Sequence, residues 1–318
     1  MGRLRQRLLG IAPEETSFVR RGFRCRDAKV RERLEQVGAA FVSGYHAALA
    51  EDRPAPLAAR LAGAAPDLHG FHFEGASFAL ALLDFLTPWN RRRLRRFLDG
   101  PAAPHTYLVH VGAGWLLARA PVSVGSLLAR LDPMLCWLAL DGYGFHQGFF
   151  HWPQSVERQE VPARLCGYER RAFDQGLGRS LWFVDGADVE RLPRTLAAFP
   201  AARRGDLWSG VGLACAYAGG IGRDAVAALR DAAGEHAADL AQGAAFAAKA
   251  RQRAGNLTAH TSLACEVLCA TGADEAAAVT DAVREGLPPD GQVPAFEEWR
   301  RRIRGRFAGR SALQGVAT

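Results

Sequence analysis

Apolar residues recur along most of this chain at the three- and four-residue spacings of an amphipathic helix. An early case places Val30, Leu34, Val37, Phe41 and Tyr45 on one face, which predicts a helix that continues to about residue 49. Prolines at positions 54 and 56 should end this helix, because proline interrupts the hydrogen bonding of a helix interior. The pattern therefore favours a protein that is built mainly from helices.

A second apolar stripe predicts a helix that begins near Ala76 and ends near Pro88. The buried face of this helix should carry Phe78, Leu82, Leu83 and Leu86. Helical segments are also predicted at 121–130 and 132–140. In residues 105–119, apolar and small or polar residues alternate, which leaves a short central strand open.

The last third of the chain is rich in alanine, which has the highest helix propensity. Leu213–Cys215 and Leu263–Cys265 repeat the same three residues 50 positions apart. Each copy is followed by a glycine and an acidic, alanine-rich helix, as in stacked helical pairs. We therefore expect one compact, mostly α domain over 1–318, with helix pairs at 205–308 and any strands short and central.

Composition supports a globular protein, since 49% of the residues are hydrophobic and 23% are charged. No run of 18 apolar residues is present, so no membrane-spanning helix is expected. The basic segment 1–27 lacks the apolar stretch of a secretory signal, which predicts a cytoplasmic protein with reduced cysteines. Cys265 and Cys269 are four residues apart, but without a second pair they indicate core packing more than a metal site.

The formal net charge of +7 comes largely from two basic clusters. The first lies in residues 3–33 and the second consists of Arg91, Arg92, Arg93, Arg95 and Arg96. Nucleic-acid binding is one interpretation of such clusters. Because no zinc-finger or RNA-recognition pattern accompanies them, solvated helix faces or docking on an acidic partner are favoured instead. No nucleic-acid partner is expected.

Residues 141–153 crowd aromatic rings together with two histidines and three glycines. Aromatic rings bury large areas, and glycines allow another group to approach the backbone closely. The segment therefore predicts a wall of a pocket for a flat, unsaturated ligand. The residues expected to contact that ligand are Tyr143, Phe145, Phe149, Phe150 and Trp152, joined by Trp115 and Trp182 from two further glycine–aromatic stretches.

The same segment contains the most reactive side chains. His146, His151 and Asp141 have the composition of the two-histidine, one-carboxylate set that binds iron in some oxygenases. On a helix, however, the two histidines would lie about 140° apart, and Gly148 makes a helix doubtful. A histidine that forms a hydrogen bond inside an aromatic pocket is the alternative, so the metal and any cofactor stay unassigned.

Two further groups add candidates. Glu74 follows His69 and His72, and it could act as a catalytic acid or as a carboxylate in the first turn of the next helix. His110 precedes Gly112 and Gly114, but the third glycine of a dinucleotide-binding motif is missing. The set proposed for acid–base catalysis is therefore His146, His151, Asp141, Glu74 and His110. In contrast, Asp174 and Arg179 are interpreted as a structural pair across a glycine turn.

Several long strings of this sequence resemble one known family. They are RRGF at 20–23, VRERLEQVG at 30–38, FEGASFALALLD at 73–84, LTPW at 86–89, HVGAGW at 110–115, DGYGFHQGFFHWP at 141–153, FDQGLGRSLWF at 173–183, DLWSGVGLACAYAGG at 206–220 and QGAAFAAKAR at 242–251. The chain resembles, over nearly its whole length, the enediyne-biosynthesis protein family of actinomycetes, whose members are encoded beside the iterative enediyne polyketide synthase.

The resemblance implies a pathway but assigns no catalytic residue. It implies an accessory enzyme that acts on a linear conjugated polyene or polyyne from the synthase, by oxidation, halogenation or cyclisation. The alternative is a non-catalytic protein that binds the polyene or docks on the synthase through its basic N-terminus. A scaffold for other proteins of the pathway would have no affinity for a polyene.

Overall fold

A computed structural model describes residues 2–314 of the chain, with side chains up to residue 308. The helices are α1 (Gly2–Leu9), α2 (Phe18–Arg21), α3 (Ala28–Ala50), α4 (Pro54–Leu61), α5 (His69–Leu86), α6 (Arg93–Leu98), α7 (Thr106–Gly114), α8 (Leu116–Arg119), α9 (Val124–Leu128), α10 (Trp137–Phe150), α11 (Tyr168–Val184), α12 (Arg191–Ala197), α13 (Ala201–Ala218), α14 (Arg223–Ala233), α15 (Ala237–Arg253), α16 (Ala259–Leu268), α17 (Ala273–Ala282) and α18 (Ala295–Gln314). No strand occurs within residues 2–314.

Eight of these helices form a single row in which each packs against the next. The row runs α3, α5, α7, α10, α11, α13, α15 and α17, and shorter helices such as α1, α6 and α16 pack against its members. Arg33 on α3 donates a hydrogen bond from Nε to the carbonyl oxygen of Ala218 at the end of α13 (3.0 Å). Because helices far apart in the row meet in this way, the row curls around its own interior.

Glycine pairs allow the helices of the row to approach each other closely. A Cβ atom at the first glycine of a pair would overlap a carbonyl oxygen of the preceding helix, as between Gly142 and Val111. A Cβ atom at the second would overlap a carbonyl oxygen of the following helix, as between Gly144 and Phe173. Such contact places backbone against backbone, which offsets the cost of glycine in a helix.

These pairs reveal a repeat that the sequence analysis missed. The first glycines, at positions 112, 142, 176 and 210, follow one another at intervals of 30, 34 and 34 residues. Each interval spans one helix of the row and its connection to the next. The prediction of stacked helix pairs is confirmed, but the 50-residue echo relates α13 of the row to α16, which packs beside the row helices α13 and α15.

The prediction of one compact, mostly α domain is also confirmed. The possible strand at 105–119 is wrong, since this segment forms α7 and α8, and the helix predicted from Ala76 begins at His69. Residues 108–114 of α7 are all buried, and a helix that is buried on every side shows little helical periodicity in its sequence. No helix in residues 2–314 is long and apolar enough to cross a membrane.

Helix starts follow ordinary capping chemistry. The Asp27 carboxylate accepts hydrogen bonds from the backbone N–H groups of Lys29 and Val30, and this N-cap begins α3. Ser17, Ser123 and Thr258 cap α2, α9 and α16 in the same manner. The cap on α3 fixes the register that directs Val37 and Phe41 to the interior of the row.

Candidate functional site

The interior of the curled row contains a narrow apolar cavity, which we call the main chamber. Helices α3, α5, α10, α11 and α13 supply most of its wall, together with Trp115 and part of the N-terminal segment. Its apolar lining comprises Ile11, Val37, Phe41, Val42, Phe71, Trp115, Phe145, Phe149, Phe150, Phe183, Leu213, Ala214, Tyr217 and Ala218. Two charged residues, Glu74 and Arg179, also line it.

A second chamber adjoins the first on the side of α15 and α18. Its wall includes Tyr107, Leu138, Phe246 and Trp299. Arg179, Leu213 and Tyr217 line both chambers and therefore stand at their boundary.

The charged residues of the main chamber belong to a buried cluster, here called the chamber cluster, of Glu74, Asp141, Gln175 and Arg179. Arg179 Nε lies 2.9 Å from Asp141 Oδ1, and Arg179 Nη2 lies 3.8 Å from Glu74 Oε1. Gln175 Nε2 donates a hydrogen bond to Asp141 Oδ2 (2.9 Å). The guanidinium carbon of Arg179 is also 4.9 Å from the centre of the Phe145 ring.

The glycine repeat positions this cluster. Glu74, Asp141 and Gln175 each directly precede a glycine, at positions 75, 142 and 176, whose Cβ atom would overlap a carbonyl oxygen of the preceding helix in the row. Equivalent positions on helices of one row lie side by side, so the three polar side chains converge although they are far apart in sequence. Arg179 lies one turn after Gln175 on α11 and meets the carboxylates from there.

Burial raises the pKa values of both carboxyl groups in the cluster. Burial raises the pKa of Glu74 to about 7, with the nearby charge of Asp141 adding to this and that of Arg179 opposing it. Burial also raises the pKa of Asp141, against the Arg179 charge and the Gln175 hydrogen bond. A carboxyl group that titrates near neutral pH can both donate and accept a proton, which is the requirement for general acid–base catalysis.

The predicted histidines do not join this cluster. His146 is buried in an adjoining pocket with Arg119, separated from Glu74 by Trp115 and Phe150. Burial lowers its pKa well below the usual value, and the charges of Arg119 and His151 act in the same direction. His151 is exposed just beyond the end of α10, with its ring centre 5.9 Å from that of His146.

The two-histidine, one-carboxylate metal set is therefore not assembled. Asp141 faces Arg179, and no group of three histidine, cysteine, aspartate or glutamate side chains in the described part of the chain could hold a metal ion. His110 has a structural position: its Nδ1 lies 2.7 Å from the Thr106 carbonyl oxygen, and its Nε2 accepts from the backbone N–H of Asp132 (3.3 Å). These contacts connect α7 to the turn before α10.

The predicted aromatic contacts divide into two groups. Phe145, Phe149, Phe150 and Trp115 line the main chamber. Tyr143, Trp152 and Trp182 do not line it. Tyr143 packs on Phe173, while the indole N–H groups of Trp152 and Trp182 donate to the carbonyl oxygens of Arg21 (2.9 Å) and Gly219 (3.0 Å).

The segment 141–150 is helical, so the doubt that Gly148 raised about a helix was wrong. Asp141, Phe145 and Phe149 follow one another at four-residue spacing and face the interior. Gly142 and Gly144 face the backbones of the neighbouring helices instead. The close approach that these glycines predicted is real, but the approaching group is a helix and not a ligand.

The family model described as protein of unknown function (DUF1702) matches residues 1–307. The chain belongs to this family. No curated protein and no solved structure matches the chain.

In this DUF1702 protein, sequence reasoning missed Arg179 and Tyr217. Asp174 does not pair with Arg179, because α11 continues straight through the predicted glycine turn, and Asp174 pairs with Arg203 instead (2.9 Å). The signal that could have identified the cluster is a polar residue directly before the closely packed glycines at positions 75, 142 and 176, which the glycine repeat makes visible.

Proposed function

We propose that this protein is an enzyme of enediyne biosynthesis that acts on a linear conjugated polyene within the main chamber. The observation that carries the proposal is a buried carboxyl group, Glu74, which faces an otherwise apolar and aromatic chamber and has its pKa raised to about 7 by burial. The enediyne pathway rests on the sequence resemblance, which the long strings at 73–84 and 206–220 carry.

The side chains of the chamber wall suit a conjugated, apolar substrate. The rings of Phe145, Phe149 and Trp115 offer flat apolar surfaces along which a row of double bonds can pack. Burial in this wall removes the chain from water, which also protects reactive intermediates.

Of the three reaction types that the resemblance implies, cyclisation initiated by proton transfer has a suitable side chain in place. Glu74 donates its proton to a carbon of the polyene, or removes one, beside the Asp141 and Arg179 side chains, which lie 2.9 Å apart. A proton taken up at one carbon and released from another leaves the atoms of the substrate balanced. This step changes the bonding of the substrate without adding an oxidant.

A non-catalytic polyene-binding protein is the second candidate. It is favoured by the wall of the chamber, where Glu74 and Arg179 are the charged groups among apolar side chains. Such a protein would need the aromatic wall but not a titrating carboxyl group. Replacing Glu74 therefore separates the two functions.

The test co-expresses the enediyne polyketide synthase and its thioesterase with this protein and follows products by mass and ultraviolet spectrum. The wild-type protein should yield a new product with altered conjugation, and Glu74→Gln should reduce its formation by a factor of about 100 or more. Glu32→Gln, on the exposed face of α3, is the matched control and should leave the yield unchanged. An unaltered spectrum with more polyene, from the wild type and Glu74→Gln alike, would instead support the binding protein.

A further inference from the structure

Tyr217 places an unpartnered hydroxyl group at the boundary of the two chambers. The residue is 3% exposed and lines both cavities. Its Oη atom makes no hydrogen bond. It packs against Gly70, where a Cβ atom would overlap it, and Gly70 lies one helical turn before Glu74 on α5.

The side chain is held firmly in this place. The guanidinium carbon of Arg251 lies 4.1 Å from the centre of the Tyr217 ring, and Phe71 packs edge-on to it at 5.1 Å. Arg251 Nη2 also donates a hydrogen bond to the Tyr217 carbonyl oxygen (2.6 Å). Contacts on the ring and the backbone keep the hydroxyl from turning towards another partner. Burial raises the pKa of Tyr217 to about 12, so the hydroxyl keeps its proton and is a donor at neutral pH.

A second unpartnered donor lines the same boundary. Arg179 Nη2 is buried without a hydrogen bond, and the Glu74 Oε1 atom with which it forms an ion pair is 3.8 Å away. A buried donor without an acceptor is costly, and native proteins contain few of them. Trp115 Nε1, in the wall of the main chamber, is likewise buried without a partner. Such donors in one apolar cavity indicate that an acceptor arrives with the ligand.

We infer that the substrate carries a carbonyl oxygen conjugated with its apolar chain, and that Tyr217 Oη and Arg179 Nη2 donate hydrogen bonds to this oxygen. The inference rests on the proposed function and specifies its substrate class. A carbonyl fits better than a carboxylate, because Asp141 already balances the charge of Arg179. A further anion would lie unpaired beside two buried carboxyl groups.

A carbonyl oxygen bound at this site determines which proton Glu74 removes and where the negative charge goes. The Glu74 carboxylate removes a proton from a carbon conjugated with the carbonyl, and the electron pair of that C–H bond moves through the double bonds onto the oxygen. Tyr217 and Arg179 stabilise the resulting enolate, as donors aimed at a developing negative charge do in other enzymes. Glu74 then returns the proton to a different carbon, so the double bonds shift with no net oxidation or reduction. The shifted triene closes to a ring by electrocyclisation, in which one π bond is exchanged for a carbon–carbon σ bond.

The test compares two probes on the purified protein: a linear all-trans polyene methyl ketone and the polyene hydrocarbon of the same length. The ketone should bind about ten-fold more tightly than the hydrocarbon, with its carbonyl infrared band at lower wavenumber than in an apolar solvent. Tyr217→Phe should weaken ketone binding by about three- to ten-fold and reverse part of the band shift. Tyr217→Phe should leave hydrocarbon binding unchanged, which also shows that the variant is folded.

Tyr143→Phe is the matched control, because Tyr143 is a buried tyrosine that lines neither chamber. It should leave the binding of both probes and the carbonyl band unchanged. Equal affinity for ketone and hydrocarbon, or an unshifted carbonyl band, would overturn the carbonyl site while the polyene chamber stands. If neither probe binds, the carbonyl site and the proposed function are both wrong.

Discussion

Two of the buried clusters of arginine and carboxylate in residues 2–308 are built differently. In the chamber cluster, Arg179 meets Asp141 and Glu74, but its Nε and Nη2 atoms form no hydrogen bonds. In the second, which we call the C-terminal cluster, Arg300 Nη1 donates to Asp206 Oδ1 (2.8 Å) and to Glu297 Oε2 (3.0 Å).

The C-terminal cluster surrounds its carboxylates with cations. Arg171 contacts Asp206 at 2.9 Å, and both Arg171 and Arg304 contact Glu297, at 3.0 and 2.7 Å. Although burial opposes ionisation, the charges of Arg300 and Arg304 lower the pKa of Glu297. In the chamber cluster a single arginine lies beside two carboxyl groups. Its charge does not offset the effect of burial, so the pKa of Glu74 rises instead.

This difference distinguishes buried charges that stabilise the fold from buried groups that can exchange protons with a ligand. A network with paired charges connects α11, α13 and α18 and has little reason to exchange protons at neutral pH. Both clusters hold buried donors without a partner, Arg179 Nη2 in one and Arg300 Nη2 in the other. Only the chamber cluster has a carboxyl group with a pKa near neutrality on the border of a cavity, and it is therefore poised for proton transfer.

The largest expected effect comes from breaking the C-terminal cluster. Arg300→Met leaves Asp206 and Glu297 buried with fewer partners, and it should lower the free energy of unfolding by about 3–5 kcal/mol. Urea denaturation measures this loss. Arg301→Met, which removes an exposed side chain paired with Glu298, should cost about 1 kcal/mol or less. Similar losses for the two variants would contradict the structural role of the C-terminal cluster.

The pH dependence of stability should differ in sign between the clusters. The pKa of Glu74 rises from 4.5 to about 7, so the folded protein retains a proton that the unfolded chain releases, and stability falls as the pH rises through this range. Glu74→Gln should therefore raise the free energy of unfolding at pH 8 by up to about 3 kcal/mol, with little change at pH 4.

For Glu297 the sign is opposite. Its lowered pKa means that the ionised carboxylate stabilises the fold above its unfolded pKa, and this contribution is lost as the pH falls through the folded value. Glu297→Gln should cost about 3 kcal/mol at pH 7 and progressively less in acid. Denaturation curves for both variants from pH 8 down to about pH 2 test the comparison, which fails if the two variants respond with the same sign.

The close backbone contact between α10 and α11 beside the chamber cluster should tolerate no added methyl group. A Cβ atom at Gly176 would overlap the Asp141 carbonyl oxygen, so Gly176→Ala should cost about 1–3 kcal/mol and displace Asp141 from Arg179. Gly305→Ala, on α18 with open space around it, should stabilise by up to about 1 kcal/mol. Thermal denaturation separates them, and a neutral Gly176→Ala would refute the backbone contact.

The smallest effects should distinguish aromatic residues inside and outside the main chamber. Phe149→Leu should weaken binding of a polyene by a few-fold, about 1 kcal/mol, because the ring lines the cavity. Trp182→Phe removes the hydrogen bond to Gly219 and should lower stability by about 1 kcal/mol without changing the affinity. Fluorescence titration and urea denaturation measure the two quantities, and reduced affinity in Trp182→Phe would count against the boundary drawn for the chamber.

Parts of the candidate site could be predicted from the sequence. Glu74, Asp141, Phe145, Phe149, Phe150 and Trp115 were recognised because aromatic and ionisable residues are unusual beside closely spaced glycines. Arg179 was paired with the wrong acid, since its true partner Asp141 is 38 positions away on α10. Tyr217 gave no local signal, because a single tyrosine in an alanine-rich helix resembles ordinary core.

The sequence by itself determined many of the helices, since hydrophobic periodicity, prolines and caps such as Asp27 act within a few residues. It also determined that glycines would meet a close neighbour, although not which neighbour. The tertiary structure alone decided that the row curls until Glu74, Asp141, Arg179 and Tyr217 meet at its centre. These residues come from four helices, and their distance from one another depends on how backbones pack along the whole row, which is a property of no single segment.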